Sequence, residues 1–188
     1  MADIFISHIH EDARVAEALV TFLRSKFRKR IDVFVSTEVL LGDDWLQTIR
    51  SALTPAKVVL AIFSPEAVHR PWVNFEAGGA WFAAEKVLIP LCIGNIDPTE
   101  LPKPYSNIQG GHLGEDETLL YLVNVLWKIL GVPGHPAPFS GTDRAVADFL
   151  AELSFWDQLN SSLSEKERQA MVVRMKKRWE KLKKTRMP

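Results

Sequence analysis

The sequence predicts an α/β sandwich built around a five-stranded parallel sheet, with a helical extension at its carboxyl end. Three observations carry this. Short apolar, β-rich runs alternate with helix-period runs over the first 130 residues. The connecting loops are short, as strand–helix–strand units require. The run KVVLAIFS, residues 57 to 64, is apolar nearly throughout, the mark of a central parallel strand covered on both faces.

The elements follow in order. DIFIS (3 to 7) is the first strand. The next run, 12 to 27, places Val15, Ala18, Leu19, Phe22 and Leu23 at helical spacing. IDVFVS (31 to 36) is the second strand, and DDWLQTIRSAL (43 to 53) a helix with Trp45, Ile49 and Leu53 four apart. After the third strand, residues 72 to 85 read as a helix and VLIPLCI (87 to 93) as the fourth strand, where Pro90 implies an edge or a bulge. A fifth strand is placed near Ser106 to Gln109, with the glycine-rich GGHLG (110 to 114) as a loop. A helix over 115 to 130 is closed by Gly131. Five such units suggest a flavodoxin-like strand order, in which ligands sit beyond the carboxyl ends of the strands. The residues just after each strand, Ser7–His10, Ser36–Asp44 and Ser64–Trp72, are therefore the ones to watch.

Residues 131–141, GVPGHPAPFSG, hold three glycines and three prolines and read as a linker. The extension, 142–188, opens with a helix carrying Val146, Phe149, Leu150, Leu153 and Trp156 on one face. A capping-box pattern at Ser164–Glu167 then starts a basic helix with a Met171, Met175, Trp179 and Leu182 stripe. From Ser164 to Pro188 there are 10 basic and 3 acidic residues, against 13 and 20 in the remaining chain. The charge suits nucleic acid or an anionic surface, and the stripe suits docking on a protein partner; a protein partner is the expectation, with nucleic acid left open by the basic tail.

Composition narrows the function classes. Hydrophobic residues make up 47% and charged residues 24%, which excludes a disordered chain. The lone cysteine, Cys92, excludes a disulfide framework, fits a reducing compartment and reads as a small core hydrophobe. MADIFIS has no basic region before an apolar stretch, so no signal peptide is expected, and no apolar run approaches a membrane span. A cytoplasmic protein with no membrane attachment is the expectation. GxxxxGK and GxGxxG phosphate cradles are absent, and the third strand ends Ile62-Phe63-Ser64, without the Asp a phosphoacceptor needs. His8 and His10 form an HxH pair with no third ligand spaced to complete a metal set, so no metal or bound cofactor is expected.

The segment RPWVNFEAGGAW, 70 to 81, carries the most pointed chemistry. Trp72, Glu76, Gly79 and Ala83 lie three and four apart and share a helix face. A carboxylate among apolar residues is costly to desolvate, and glycines inside a helix cost about 1 kcal/mol each. Glu76 pairing with His69 or Arg70, and glycines that admit a neighbouring helix, are open alternatives to a functional role.

DIFISHIHED, LLGDDWLQTIRSAL and VVLAIFSPEAVHRPWVNFEAG together resemble the first box, the BB loop with its helix, and the third strand with its Trp-x-x-x-Glu helix of Toll/interleukin-1 receptor (TIR) domains. The resemblance covers residues 1–130 and looks closest to bacterial TIR domains of the NADase type. It implies an NAD⁺ glycohydrolase with Glu76 catalytic. NAD⁺ is then a substrate and not a cofactor, and the products are nicotinamide and ADP-ribose or a cyclic ADP-ribose. It implies Ser7, His8, Ile9, Ser36, Trp45 and Trp72 around the substrate, and self-association through a BB loop that includes Leu40, Leu41, Gly42, Asp43 and Asp44. It points to bacterial immunity. Two positions depart from the family pattern. His8-Ile9-His10 stands where a well-studied eukaryotic relative carries basic residues, and Ser36 where an Asp is often found. Two other functions fit the same architecture: a non-catalytic TIR scaffold or adaptor, and a nucleoside deoxyribosyltransferase-like N-glycosidic enzyme.

Overall fold

A computed structural model of the chain describes residues 2–36, 47, 51–70, 86–136 and 143–162. The BB-loop residues, Trp45, Trp72, Glu76, Gly78, Gly79 and the basic helix expected after Ser164 lie outside them. The chain divides into two compact units, Met1–Leu153 and Ser154–Pro188.

The first unit is organised by five parallel strands in the order β2-β1-β3-β4-β5, the expected flavodoxin-like arrangement. They are β1 (Ile4–Ser7), β2 (Val33–Val35), β3 (Val58–Phe63), β4 (Val87–Cys92) and β5 (Gly111–His112). The central position of β3 follows from its sequence, because all six of its residues are buried. Its neighbours run in straight register, Ile4↔Val58 to Ser7↔Ala61 on one side and Val58↔Val87 to Phe63↔Cys92 on the other.

Alternation along the strands splits the core between two faces. Phe5, Val59, Ala61, Phe63, Leu88 and Cys92 belong to one apolar cluster, with Tyr105 and Leu101 from the following connection and Ala52 and Leu53 packed against it. Phe5 stacks on Phe34 at 5.5 Å and Phe63 meets Tyr105 at 5.1 Å. Cys92 is fully buried there, and burial pushes its thiol up to about 12, so it is inert packing. The intervening residues Ile4, Ile6, Leu60 and Ile62 are just as buried and face the other way.

Helix α1 (Ala13–Lys26) begins directly after a short 3-10 turn at His10–Asp12. Helix α2 (Asp116–Leu130) ends on Gly131, whose φ of 64° is the left-handed conformation glycine supplies at a helix stop. The ends of the two helices meet where Phe27 stacks on Trp127 at 5.0 Å.

The edge of the sheet differs from expectation. Residues Tyr105–Asn107 form a 3-10 turn, and the fifth strand falls at Gly111–His112, inside the glycine-rich stretch read as a loop. Steric room explains the glycines. A Cβ at Gly110 would stand 2.5 Å from the Pro90 carbonyl oxygen, and one at Gly111 2.5 Å from the Thr118 side chain on α2. Pro90 makes no bulge in β4, whose register with β3 is straight, but it stands where the outer side of the strand is still an edge. The Val87 and Ile93 N–H groups donate to Lys57 and Phe63, so odd-numbered residues face β3 and the Pro90 nitrogen faces the other side. There β5 starts only at the pair Leu91↔Gly111, so the missing N–H removes no bond to β3.

Helix α3 (Arg144–Ser162) follows the Pro/Gly stretch, and its first half is part of the first unit. The compact body therefore extends beyond residues 131–141. Phe149 packs on Phe22 at 5.6 Å, Glu152 accepts from Arg14 at 2.6 Å, and Asp143 pairs with the Lys26 ammonium. Lys26 is 4% exposed, so this pair lies in a medium where an uncompensated charge is expensive.

Two stability outcomes follow from this packing. Asp143→Ala removes the carboxylate that pairs with a buried ammonium and is expected to lower unfolding free energy by about 3 kcal/mol in urea titrations. Gly110→Ala forces backbone displacement against Pro90 and is expected to cost about 1–3 kcal/mol in the same measurement.

Candidate active site at the carboxyl ends of the strands

The interior strands are apolar to their last residue and then turn polar together. β1 ends in Ser7, fully buried, followed by His8 at 3% exposure; β2 is followed by Ser36 at 9%; β3 is followed by Ser64, fully buried. Parallel register brings these exits side by side, since Ile6 pairs with both Val35 and Leu60. The first two connect directly, with His8 Nδ1 3.2 Å from Ser36 Oγ.

Ser64 ties the third exit to the first. Its Oγ accepts from the Ala67 N–H at 3.1 Å and its carbonyl from the Val68 N–H, which bends the chain into the 3-10 turn Ala67–His69. The Ser64 hydroxyl also hydrogen-bonds the carboxyl group of Asp12. A second link runs nearby, where Arg70 donates to Glu11 at 3.0 Å. The turn that leads out of β3 toward residue 71 is thus held to the start of α1 at two points.

Burial sets the charge state of the site. His8 is lowered to about 4, first by desolvation and then by the neighbouring His10, against an opposing hydrogen bond to the Ile6 backbone. It is a neutral imidazole at pH 7. Asp12 is 1% exposed, and desolvation, with Glu11 and Glu66 close by, raises its carboxyl well above the usual range against the help of Ser64. Three buried polar atoms here have no hydrogen-bond partner: His8 Nε2, His10 Nε2 and Asp12 Oδ2. Unmet polar groups concentrated at strand ends are the signature of a site kept for something other than stability.

Of the residues expected around a substrate, Ser7, His8 and Ser36 come together at this edge. Ile9, adjacent in sequence, belongs to the apolar cluster with Phe63 and Ala67. Trp45, Trp72, Glu76 and Leu40–Asp44 lie outside the described residues. Of the partners considered for Glu76, Arg70 is ion-paired with Glu11 and His69 is exposed. Asp12 and Ser64 escaped sequence reasoning as a pair. The signal was available, because Asp12 stands at the helical spacing of Val15, Ala16 and Leu19 and so on the buried face of α1.

Among the described residues, no three His, Cys, Asp or Glu side chains gather into a metal-holding group, and no helix is long and apolar enough to cross a membrane. A cavity of about 440 Å³ lies elsewhere, along the lateral edge between β4, β5 and α2, lined by Val87, Ile108, Glu117 and Tyr121 among others. It contains none of the expected substrate-binding residues.

Proton linkage gives opposite pH signatures for the two buried groups. Between 6.5 and about 4 the unfolded chain protonates at His8 before the folded one does, so the stability it contributes is complete above 6.5 and is lost as the pH falls toward 4. The loss amounts to about 3 kcal/mol and should be missing in His8→Gln when urea unfolding is followed across that range. Asp12 works the other way: its raised value favours the fold below 3.8, and that contribution drains as the pH climbs through the folded value. Asp12→Asn keeps the shape and removes the ionisation, so it is expected to unfold at higher urea than the parent at pH 7, with the gap closing in acid.

A family model for the TIR domain matches residues 4–119, well over half of the chain. No curated protein matches the sequence. Among solved structures, the chain is similar to a metazoan TIR-STING receptor from C. gigas in complex with 2',3'-cGAMP, with 20% identity and a TM-score of 0.52 over 73% of this chain. At that identity the likeness is one of fold, and the chain spans 41% of the receptor's length. The TIR domains of the activated Roq1 resistosome, recognising the effector XopQ, align over 82% of this chain and 99% of theirs, at 17% identity and a TM-score of 0.46. With the parallel five-stranded sheet and its polar carboxyl edge in place, the match across residues 4–119 makes the chain a member of the TIR domain family.

Proposed function

We propose that the chain is an NAD⁺ glycohydrolase that breaks the bond between nicotinamide and ribose, acting in the cytoplasm in bacterial immunity and switched on by self-assembly. The observation that carries this reading is the pair Trp72 and Glu76, four residues apart in the sequence, immediately downstream of the β3 exit. That exit is the one Ser64 and Arg70 hold against the start of α1, next to His8 and Ser36.

The chemistry asks little of the protein in the way of acid. Nicotinamide leaves with the electron pair of the glycosidic bond, which neutralises its pyridinium, so no proton need be delivered to it. The ribose is left oxocarbenium-like, as in glycoside hydrolysis. One carboxylate, Glu76, then serves to hold ribose hydroxyls and offset the growing positive charge. Trp72 and Trp45 supply aromatic walls for sugar and base. Attack by water gives ADP-ribose, and attack by an adenine nitrogen gives a cyclic product. Leu40–Asp44 of a neighbouring copy would complete the site on assembly, which keeps the enzyme silent when dilute. Residues 142–188, with their basic amphipathic stretch, are the proposed contact for a protein partner.

Purified protein incubated with NAD⁺ is expected to release nicotinamide, followed by chromatography, with a specific rate that rises with protein concentration. Glu76→Ala is expected to lower the rate about a hundredfold or more. A variant as active as the parent would remove the catalytic assignment, and no release at any concentration would leave the fold to a TIR scaffold.

A further inference from the structure

The turn that closes α1 carries an inference independent of the NAD⁺ reading. Its sequence is RSKFRKR, residues 24 to 30, five cations in seven residues, and no acid occurs from Ala18 to Ile31. Lys26 is buried and paired with Asp143. Arg24, Arg28, Lys29 and Arg30 are exposed. Among the described residues, the side chains of Arg24, Arg28 and Lys29 have no partner, and Arg30 has one long bond, from Nη1 to the Pro133 carbonyl at 3.4 Å.

The backbone beneath these cations is strained. Arg28 and Lys29, at φ 51° and 58°, are the two non-glycine residues of positive φ among the described residues. The turn is the same one that ends α2. There the Gly131 N–H donates to Lys128 and the Val132 N–H to Trp127; here the Arg28 N–H donates to Ser25 and the Lys29 N–H to Arg24, at 2.9 Å. The two helix ends touch through the Phe27 and Trp127 rings. At this position α2 has Gly131, which the left-handed conformation favours, whereas α1 has an arginine followed by a lysine. The helix macrodipole accounts for Arg24 and Lys26 in the last turn, but it does not ask for a long side chain where glycine fits. Strain retained under an exposed cationic turn points to a use other than stability.

The form of the turn selects the partner. The N–H groups of residues 27–30 all donate to backbone carbonyls, so no cradle is left for a single phosphate. Phe27 and Ile31 are buried, so the turn offers no apolar anchor to a protein or a bilayer. It offers a row of separate charges, which matches a repeating anion. Lys57 and Lys128 are exposed at the same end of the sheet. The acids there are Asp3 and Asp32; Asp148 is paired with Arg144, and Glu17 stands two turns earlier in α1. The chain before Ser164 holds 13 basic and 20 acidic residues, so this basic island sits on a body that repels a polyanion elsewhere.

We propose that Arg24, Arg28, Lys29 and Arg30 dock the phosphate backbone of a nucleic acid, by charge and without reading sequence. The surface lies at the amino ends of the strands and leaves the polar exits at their carboxyl ends open.

The test titrates full-length protein into a short fluorescent DNA duplex, with anisotropy read from about 50 to about 200 mM salt. The parent should bind two duplexes of unrelated sequence equally, with an affinity that falls steeply with salt. The double variant Arg28→Gly, Lys29→Gly removes two cations and supplies glycine where the backbone is left-handed. Its salt slope should be shallower by about 2 units, one per phosphate contact, while its urea midpoint stays at or above the parent's. Arg24→Gln, which leaves the turn's backbone alone, should lose about 1 unit, and it decides the matter by itself if the double variant fails to fold. The basic stretch 164–188 is the same in every protein compared, so the difference in slope belongs to this turn. An unchanged slope, no binding of either duplex near the lowest salt, or a preference for one sequence each overturns the inference. Variants that keep duplex affinity but lose binding to vesicles of phosphatidylserine and phosphatidylcholine overturn it in favour of an anionic membrane.

Discussion

Parallel strands buried on both faces leave only their ends for polar chemistry, and this constraint shapes the whole first unit. β3 has six consecutive residues out of contact with water, and its neighbour β1 is just as dry along its whole length. Nothing polar can be placed along them without an unmet hydrogen bond or an unpaired charge. At the carboxyl ends the chain turns to Ser, His and Asp within two or three residues. The local backbone turns there give some of these groups partners and leave others without. Ser64 shows the economy of the arrangement: one side chain caps the turn after β3 and reaches Asp12 at the start of α1.

The same constraint explains why two buried titratable groups can stand close together in unusual states. In the dry region at the strand ends, burial lowers His8 and raises Asp12, each because the charged form is the one burial penalises. The buried hydroxyls and unmet polar atoms gathered there suit recognition of sugar hydroxyls and bases. The charge the proposed reaction needs is supplied by one carboxylate, Glu76, at the moment an oxocarbenium-like centre forms.

Much of this architecture was legible in the sequence because it depends on period and punctuation. Four strands fall within a residue or two of their apolar runs, and α2 stops at Gly131 as its composition demands. β5 was not legible. Its two paired residues, Gly111 and His112, carry no apolar run, and the reason for the glycines is a three-dimensional approach to Pro90 and Thr118. Pro90 announced an edge, but which side its nitrogen faces is fixed by the register of β3 and β4 and by where β5 begins to pair. The packing of α3 on α1 through Asp143, Phe149 and Glu152 was hidden because it joins residues at least 117 positions apart across a Pro/Gly stretch. At the site, Ser7, His8 and Ser36 could be named from strand ends alone. The Asp12–Ser64 contact needed the fold, although the helical phase of Asp12 announced its burial.

The account stands on one placement, the ribose of a dinucleotide at the carboxyl ends of β1–β3. The most direct measurement is a structure of the assembled protein with a carbon-linked NAD⁺ analogue whose nicotinamide–ribose bond cannot be hydrolysed. The account predicts the ribose of the nicotinamide half within hydrogen-bond distance of the Glu76 carboxylate, beside the β1 and β2 exits at His8 and Ser36. An analogue seated in the lateral cavity between β4, β5 and α2 would contradict it.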